Sequence, residues 1–182
     1  GRLLWTYQTN NDWLPCLMVD NDGRIYGSEI LENHADLICL NQLGEVIWRY
    51  TLPDWRMGGI ASVIDTRGFI YVLTYISQGS VLYSFDYEVR IRWKRNLYLE
   101  GIDFITEGSF LYCDSRNRIY TFGYVKGTHK PWLYAFDQQG NIIIEKKMGT
   151  TDEVPAALAQ NSMLIHTDIS QSQMGVYAIK FK

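Results

Sequence analysis

The chain has 182 residues, with 17 basic and 20 acidic side chains and a formal net charge of −3 at pH 7. Nucleic-acid binding relies on a dense basic face, and the sequence has no basic stripe, so we expect no nucleic-acid partner. No run of about 18 apolar residues occurs, so the sequence predicts no membrane span. The length suits one domain with a sizeable core.

Short segments with alternating apolar residues follow one another along the chain. In chain order, examples are GRIYGS, GFIYVLTY and RIYTFGY, which are rich in β-branched and aromatic residues and are bounded by turn-forming residues. No stretch of about 12 residues has a helical period. The sequence therefore predicts an all-β fold.

A fourfold repeat underlies these strands. The stretch VDNDGRIY recurs as IDTRGFIY, as CDSRNRIY and more weakly as LAQNSMLI, and the turn residues Gly23, Gly68, Asn117 and Ser162 are 45, 49 and 45 residues apart. Each unit holds four strands of about five residues, the size of one propeller blade. We expect blades at about 14–52, 60–97, 108–148 and 155–182, the last completed by residues 1–9.

A short polar residue stands three positions before the turn residue of each predicted hairpin. In the first hairpins these residues are Asp20, Asp65 and Asp114. Their carboxylates can accept hydrogen bonds from the turn backbone, and the turn residue needs a positive φ, which Gly and Asn tolerate. The second hairpins repeat the device at Asn41 with Gly44 and at Asp137 with Gly140. Since Val89 follows Asp86 at the Gly position, we expect a distorted turn there.

The marker xVxDxxGxIYV…LYxFDxxGxxxW resembles the PQQ-like, or quinoprotein-type, β-propeller repeat. The best matches are SVIDTRGFIYVLTYISQGSVLYSFDYEVRIRW and PCLMVDNDGRIYGSEILENHADLICLNQLGEVIW. The resemblance implies a propeller. It also implies one of two uses, since some members are dehydrogenases that hold PQQ and calcium and others are cofactor-free scaffolds for protein assembly or ligand sensing.

The two ends of the chain read as parts of one blade. When VYAIKFK is followed by GRLLWTYQT, Gly1 aligns with Gly44, and Trp5 aligns with Trp48 and Trp93. We expect residues 1–9 to pair with 176–182 as the outer strand, which hides two sheet edges and closes a ring of four four-stranded blades. The alternative is a dimer in which each chain supplies half of an eight-bladed ring.

The variable loops on one face are the expected binding surface, because loops on a rigid scaffold carry function. The candidate residues are Asp12, Trp13, Asp54, Trp55, Arg56, Asp103 and Asp152, with Lys126, His129, Lys130 and Trp132 from the loop YVKGTHKPWLY. We expect no cofactor; the alternative is that the four Asp form a calcium or magnesium site. Trp13 and Trp55 either contact a ligand or cover the core between blades.

The sequence has no nucleophile elbow, P-loop, Rossmann glycine pattern or His-Glu-x-x-His motif, so we expect no enzyme. It favours a non-catalytic binding or scaffold module, monomeric or homodimeric, that presents variable loops to a protein partner. One alternative is a small-molecule or carbohydrate binder that stacks its ligand on Trp13, Trp55 and Trp132. Another is a quinoprotein-type oxidoreductase relic or half-enzyme.

Overall fold

The computed structural model describes residues 1–9, 17–53, 55, 60–76, 79–103, 111–125, 131–147, 153–159, 163–168 and 175–180. Its regular elements over these ranges are β-strands, so the all-β prediction is confirmed. The same ranges include no helix with the length and hydropathy that a membrane crossing needs.

The strands form four antiparallel sheets in the described ranges, named blades 1 to 4 in chain order. Blade 1 contains β1 (Met18–Val19), β2 (Ile25–Ile30), β3 (Ala35–Leu40) and β4 (Val46–Thr51). Blade 2 contains β5 (Ala61–Ile64), β6 (Ile70–Ile76), β7 (Gly79–Phe85) and β8 (Ile91–Asn96). Blade 3 contains β9 (Ile102–Asp103), β10 (Leu111–Cys113), β11 (Ile119–Val125), β12 (Pro131–Phe136) and β13 (Ile142–Lys147). Blade 4 contains β14 (Glu153–Ala159), β15 (Met163–Asp168) and β16 (Gly175–Lys180).

Each blade is a meander in which consecutive strands pair. In blade 3, β9 and β10 pair with opposite ends of β11, so together they form its first strand position. Blade 4 has three strands among the described residues. The first turn of a blade joins its first two strand positions, and the second turn joins its last two.

The predicted turn chemistry is confirmed. In blade 1, Asp20 Oδ1 accepts hydrogen bonds from the backbone N–H groups of Asp22 and Arg24, both at 2.9 Å. Five other short polar side chains make the same pair of bonds in the turns of blades 1 to 3: Asn41, Asp65, Asp86, Asp114 and Asp137. The residue that follows each one three positions later has a φ between 59° and 86°.

The turn at Val89 corrects one expectation. We expected a distorted turn, but Asp86 Oδ1 accepts from the N–H groups of Glu88 and Arg90, both at 2.9 Å, as in the other turns. Val89 has a φ of 65°, a conformation that a β-branched residue rarely adopts. Its side chain is buried in the core, which offsets the backbone strain and keeps the turn regular.

The hydrophobic core lies between consecutive blades. Neighbouring residues on a strand face opposite sides of the sheet, so Tyr83 packs in the layer shared with blade 1, and Leu82 packs in the layer shared with blade 3. A third layer covers the far face of blade 3 and includes Tyr120 and Phe122. Because both faces of a blade are apolar, the blades must stack to bury them.

Residues 1–9 lie beside blade 1 and are not part of a strand. The indole N–H of Trp5 donates to the backbone carbonyl of Gln42 at 2.9 Å, and Arg49 Nη2 donates to the hydroxyl of Tyr7 at 2.8 Å. The sheet pairings do not join this segment to β16. Ring closure by strand pairing and the number of blades therefore stay predictions.

Candidate functional site

Most of the residues predicted for the binding face lie outside the described part of the chain. These are Asp12, Trp13, Asp54, Arg56, Lys126, His129, Lys130 and Asp152. Asp103 ends β9, where the backbone position alone is described. Within the described ranges, no group of three or more His, Cys, Asp or Glu residues could hold a metal ion. The loop-face and calcium-site hypotheses stay predictions.

Two of the predicted aromatic residues are described, and both contact the core. Trp55 is 7% exposed and belongs to the layer between blades 1 and 2, where its indole N–H has no hydrogen-bond partner among the described residues. Trp132 on β12 is half-buried and packs against the layer between blades 2 and 3. This position of Trp55 matches the alternative in which it covers the core between blades.

A groove of about 560 Å³ opens on the face opposite to the predicted one, between the first turns of blades 1 and 2. The second turn of blade 2 adds Tyr87, whose side chain is 51% exposed. The polar side chains that line the groove include Asn21, Asp22, Arg24, Thr66, Arg67 and Tyr87. We name this cavity the blade 1–2 groove.

Hydrogen bonds between turns bridge the next junction, between blades 2 and 3. Asn117 Oδ1 accepts hydrogen bonds from the backbone N–H and the hydroxyl of Thr66, at 3.1 and 2.9 Å. The indole N–H of Trp93 and Arg92 Nη2 both donate to the carbonyl of Gln138, at 2.9 and 3.2 Å. These bonds tie the turns of the two blades together.

These ties are absent from the described part of the junction between blades 1 and 2, where two of the residues that form them are replaced. Gly68 stands where blade 3 has Asn117, and a Cβ atom at Gly68 would meet no atom within 4 Å. Ile47 stands at the position of Arg92, and its side chain has no hydrogen-bond donor. Among the described residues, no hydrogen bond joins the indole of Trp48 to Tyr87, the counterpart of Gln138. The groove is therefore the space left where the repeat changes.

The charges around the groove are held in place. The Tyr26 hydroxyl donates to Asp20 Oδ2 at 2.7 Å, and the hydrogen bond with Tyr26 raises the pKa of Arg24 above its ordinary value. Arg67 lies 3.6 Å from Asp65 Oδ2, with its guanidinium 4.8 Å from the centre of the Phe69 ring. The Arg67 guanidinium is thus held beside a carboxylate and an aromatic ring.

Tyr71, which donates a hydrogen bond to the Asp65 carboxylate, is also held in place. Burial, together with the neighbouring carboxylate of Asp65, raises the pKa of Tyr71 to about 12. Its hydroxyl donates to Asp65 Oδ2 at 3.1 Å. The lining then contains three carboxylates, from Asp20, Asp22 and Asp65, against the two guanidinium groups. The groove therefore has a small negative excess and suits a polar, uncharged ligand better than an anion.

The sequence analysis predicted a binding surface on the other face, which stays a prediction, and did not indicate this groove. A signal was present in the repeat itself. Asn117 in blade 3 replaces the Gly of Gly23 and Gly68, and Val89 in blade 2 replaces the Gly of Gly44 and Gly140. Position-by-position comparison of the turns would have marked this junction as different from the next one.

No family model matches the chain, and no curated protein sequence matches it significantly. Solved structures share its fold. A catalytically inactive variant of virginiamycin B lyase from Staphylococcus aureus, solved with quinupristin, matches with a TM-score of 0.63 and 17% identity over 96% of this chain and 58% of that chain. The propeller domain of the Trilobed protease from Pyrococcus furiosus, described as having an open velcro topology, matches with a TM-score of 0.58 and 10% identity over 96% and 56%.

A quinoprotein alcohol dehydrogenase-like protein from Bacteroides thetaiotaomicron matches with a TM-score of 0.52 and 11% identity over 73% of this chain and 33% of that chain. The chain has a β-propeller fold. It spans less than three fifths of the length of each of these three solved proteins. Membership of the PQQ-like group stays a prediction.

The prediction that the chain is not an enzyme is wrong. Solved structures with its fold include virginiamycin B lyase, which is an enzyme. The absence of standard catalytic motifs therefore does not exclude catalysis on this fold. At 16–17% identity the likeness shows the fold alone, and no reaction is carried over to this chain.

Proposed function

We propose that the chain is a ligand-binding β-propeller that holds a small polar molecule in the blade 1–2 groove. The observation that supports this is a cavity of about 560 Å³ at a junction that lacks the ties of the next junction. That volume suits a small-molecule ligand. Fixed charges and an exposed aromatic ring supply both polar and apolar contacts.

This proposal is tested by mapping amide chemical shifts while small probes are added. The probes are neutral mono- and disaccharides and blocked amino acids. Tyr87→Ala and Arg24→Ala should each weaken binding about fivefold or more, because each removes roughly 1 kcal/mol of contact with the ligand. Leu99→Ala is the matched control, since Leu99 is 70% exposed and does not line the groove. Shifts confined to residues outside the groove would reject the proposal.

The variable loops at which a protein partner is predicted lie mostly outside the described part of the chain, and the quinoprotein alternative has no assigned residues. Both stay predictions. The blade 1–2 groove lies on the other face and does not compete with a partner bound at those loops.

We also propose that residues 1–9 take the place of the outer strand of a blade that precedes blade 1. Trp5 donates to the carbonyl of Gln42 at 2.9 Å, as Trp93 donates to that of Gln138 at 2.9 Å. A Cβ atom at Gly44 would lie 2.6 Å from the Trp5 indole, and one at Gly140 would lie 3.1 Å from the Trp93 indole. The two tryptophans thus meet the next blade in the same way.

The burial of blade 1 supports the same proposal. Leu37 and Cys39 face blade 2, so Ile38 and Leu40 on the same strand face away from it. Ile38 is 1% exposed and Leu40 is 3% exposed. They are therefore buried on the face of blade 1 that points away from blade 2, although no blade precedes blade 1 in chain order. A ring in which β16 and residues 1–9 share one blade would place blade 4 on that side.

A further inference from the structure

At one junction of the propeller, a carboxamide fills a position that is open at the junction before it. Between blades 2 and 3, Asn117 is 9% exposed, and its Oδ1 accepts from the N–H and hydroxyl of Thr66. Between blades 1 and 2, the aligned residues are Gly68 and Asn21. Gly68 faces open space, so the position of the carboxamide is vacant inside the blade 1–2 groove.

The donor that would meet such a carboxamide is still present. Asn21 holds the position of Thr66 in the turn and lines the groove. Among the described residues, its backbone N–H has no hydrogen-bond acceptor, whereas the N–H of Thr66 is bonded at 3.1 Å. Asn21 is exposed at the groove, and a ligand oxygen in the place of Asn117 Oδ1 could accept a hydrogen bond from its N–H.

The charges decide which oxygen fits best. A carboxylate would enter a lining that already has three carboxylates against two guanidinium groups, so like charges oppose it. An amide oxygen is a good acceptor without that cost, and the amide plane reproduces the geometry of Asn117. Further hydroxyl or amide groups on the ligand can meet Arg24 and Arg67, and its apolar face can contact Tyr87.

This inference rests on the proposed function: we infer that the ligand of the blade 1–2 groove is a neutral small molecule with a carboxamide or acetamido group. The amide oxygen accepts from Asn21 N–H and occupies the site that Asn117 Oδ1 occupies at the next junction. Two sources supply this chemistry, an N-acetylated sugar and the side chain of Asn or Gln. The probes below separate them.

The experiment follows the amide resonances of the whole chain during titration with N-acetylglucosamine, with glucose and with propionamide, which carries the side-chain amide of Gln and no acetamido group. We expect a saturable shift at Asn21 with the two amide probes and none with glucose, which lacks the acetamido group. The stronger of the two amide probes identifies the source. Equal shifts at Asn21 with glucose and with the amides would overturn the amide inference and leave the proposed function intact.

Two substitutions each give one junction the turn residue of the other. Gly68→Asn places the missing carboxamide on the protein, and Asn tolerates the φ of 83° at this position, as Asn117 does at 59°. We expect amide-probe affinity to fall about tenfold or more, because the new side chain takes both the space and the donor. The melting temperature should change little, because the strain of a side chain at this positive φ, which is small for Asn, opposes the loss of entropy in the unfolded chain when Gly is replaced.

Asn117→Gly is the converse variant. It should open a second groove and produce a saturable shift at the Thr66 amide with the same amide probes. Unchanged binding in Gly68→Asn would overturn the inference. The absence of any shift in the groove, with every probe tested, would overturn both the inference and the proposed function.

Discussion

At the scale of single residues, the turns of this propeller depend on one short polar side chain each. Asp137 Oδ1 accepts from the N–H groups of Gln139 and Asn141, at 2.9 and 2.8 Å. In blade 1, Asn41 makes the same two bonds with its amide oxygen. The turn therefore needs an acceptor oxygen at this position and does not need a charge.

This comparison yields a prediction for Asp137. Asp137→Ala should lower the free energy of unfolding by about 1–2 kcal/mol at pH 7, because two turn N–H groups lose their acceptor. Asp137→Asn should lower it less, because the amide oxygen keeps both bonds, as in Asn41. Denaturant unfolding measures both changes. Equal losses in the two variants would contradict the assignment of the turn bonds.

The same carboxylate predicts acid sensitivity. Burial acts to raise the pKa of Asp137, but the hydrogen bonds from Asn141, Gln139 and Gly140 outweigh it and hold the pKa below 3.8. The folded chain then binds this proton less readily than the unfolded chain, so the stabilisation is present above about pH 4 and is lost as the pH falls through the folded pKa. In denaturant unfolding, the difference in free energy of unfolding between Asp137→Asn and the unsubstituted chain should be smaller at pH 3 than at pH 6.

At the scale of elements, the blades are joined by tryptophans on the outer strands. Trp93 on β8 packs against Tyr71 in its own blade and donates to Gln138 of the next one. Trp48 on β4 packs against Tyr26 in the same manner, with ring centroids 5.9 Å apart in both pairs. Its indole has no hydrogen bond across the junction among the described residues. The groove junction is thus joined by packing without this bond.

A pair of substitutions measures that difference. Trp93→Phe should lower the free energy of unfolding by about 1 kcal/mol more than Trp48→Phe, because both lose indole volume and Trp93 alone loses an inter-blade hydrogen bond. Thermal and denaturant unfolding provide the comparison, with Trp48→Phe as the matched control. A larger loss in Trp48→Phe would contradict this account of the two junctions.

At the scale of the whole molecule, stability depends on every blade having a neighbour on each side. The layers between blades 1 and 2 and between blades 2 and 3 are built from fully buried side chains such as Val72 and Leu73. A blade without a neighbour would expose such a face to water, at about 25 cal/mol for each Å². Closure of the ring would remove that cost for the first and last blades.

Ring closure can be tested by disulfide trapping. When Trp5 is aligned with Trp48, Thr6 takes the position of Arg49, and Tyr177 takes the position of Ile38. Arg49 pairs with Ile38 in blade 1, so we expect Thr6 to lie opposite Tyr177. Thr6→Cys with Tyr177→Cys should form a disulfide, because opposed residues on paired strands come within reach. Thr6→Cys with Ala178→Cys is the control, because a shift of one residue turns the two side chains to opposite faces.

The mass of the trapped product separates the two architectures. A product of 21.2 kDa indicates closure within one chain, and twice that mass indicates exchange between two chains. Cys16 is replaced by Ser, and Cys39 and Cys113 are kept because burial raises their thiol pKa values to about 11 and about 12. Equal trapping in the control pair, or no trapping in either pair, would count against the proposed strand.

The sequence by itself determined the all-β class, the repeat and the chemistry of the turns. These features are local, because alternation and an Asp three residues before a Gly act within a few residues of chain. Among the turns, the sequence did not predict the regular turn at Val89. Burial of Val89 against the neighbouring blade stabilises a backbone conformation that a β-branched residue disfavours.

The tertiary structure alone decided where the open junction lies and that Trp55 is part of the core. Both depend on contacts between residues far apart in sequence, such as the Asn117 carboxamide and Thr66, and on the absence of that contact at Gly68. A repeat pattern records which residue types recur. Only the packing of one blade on the next turns a change in the repeat into a cavity.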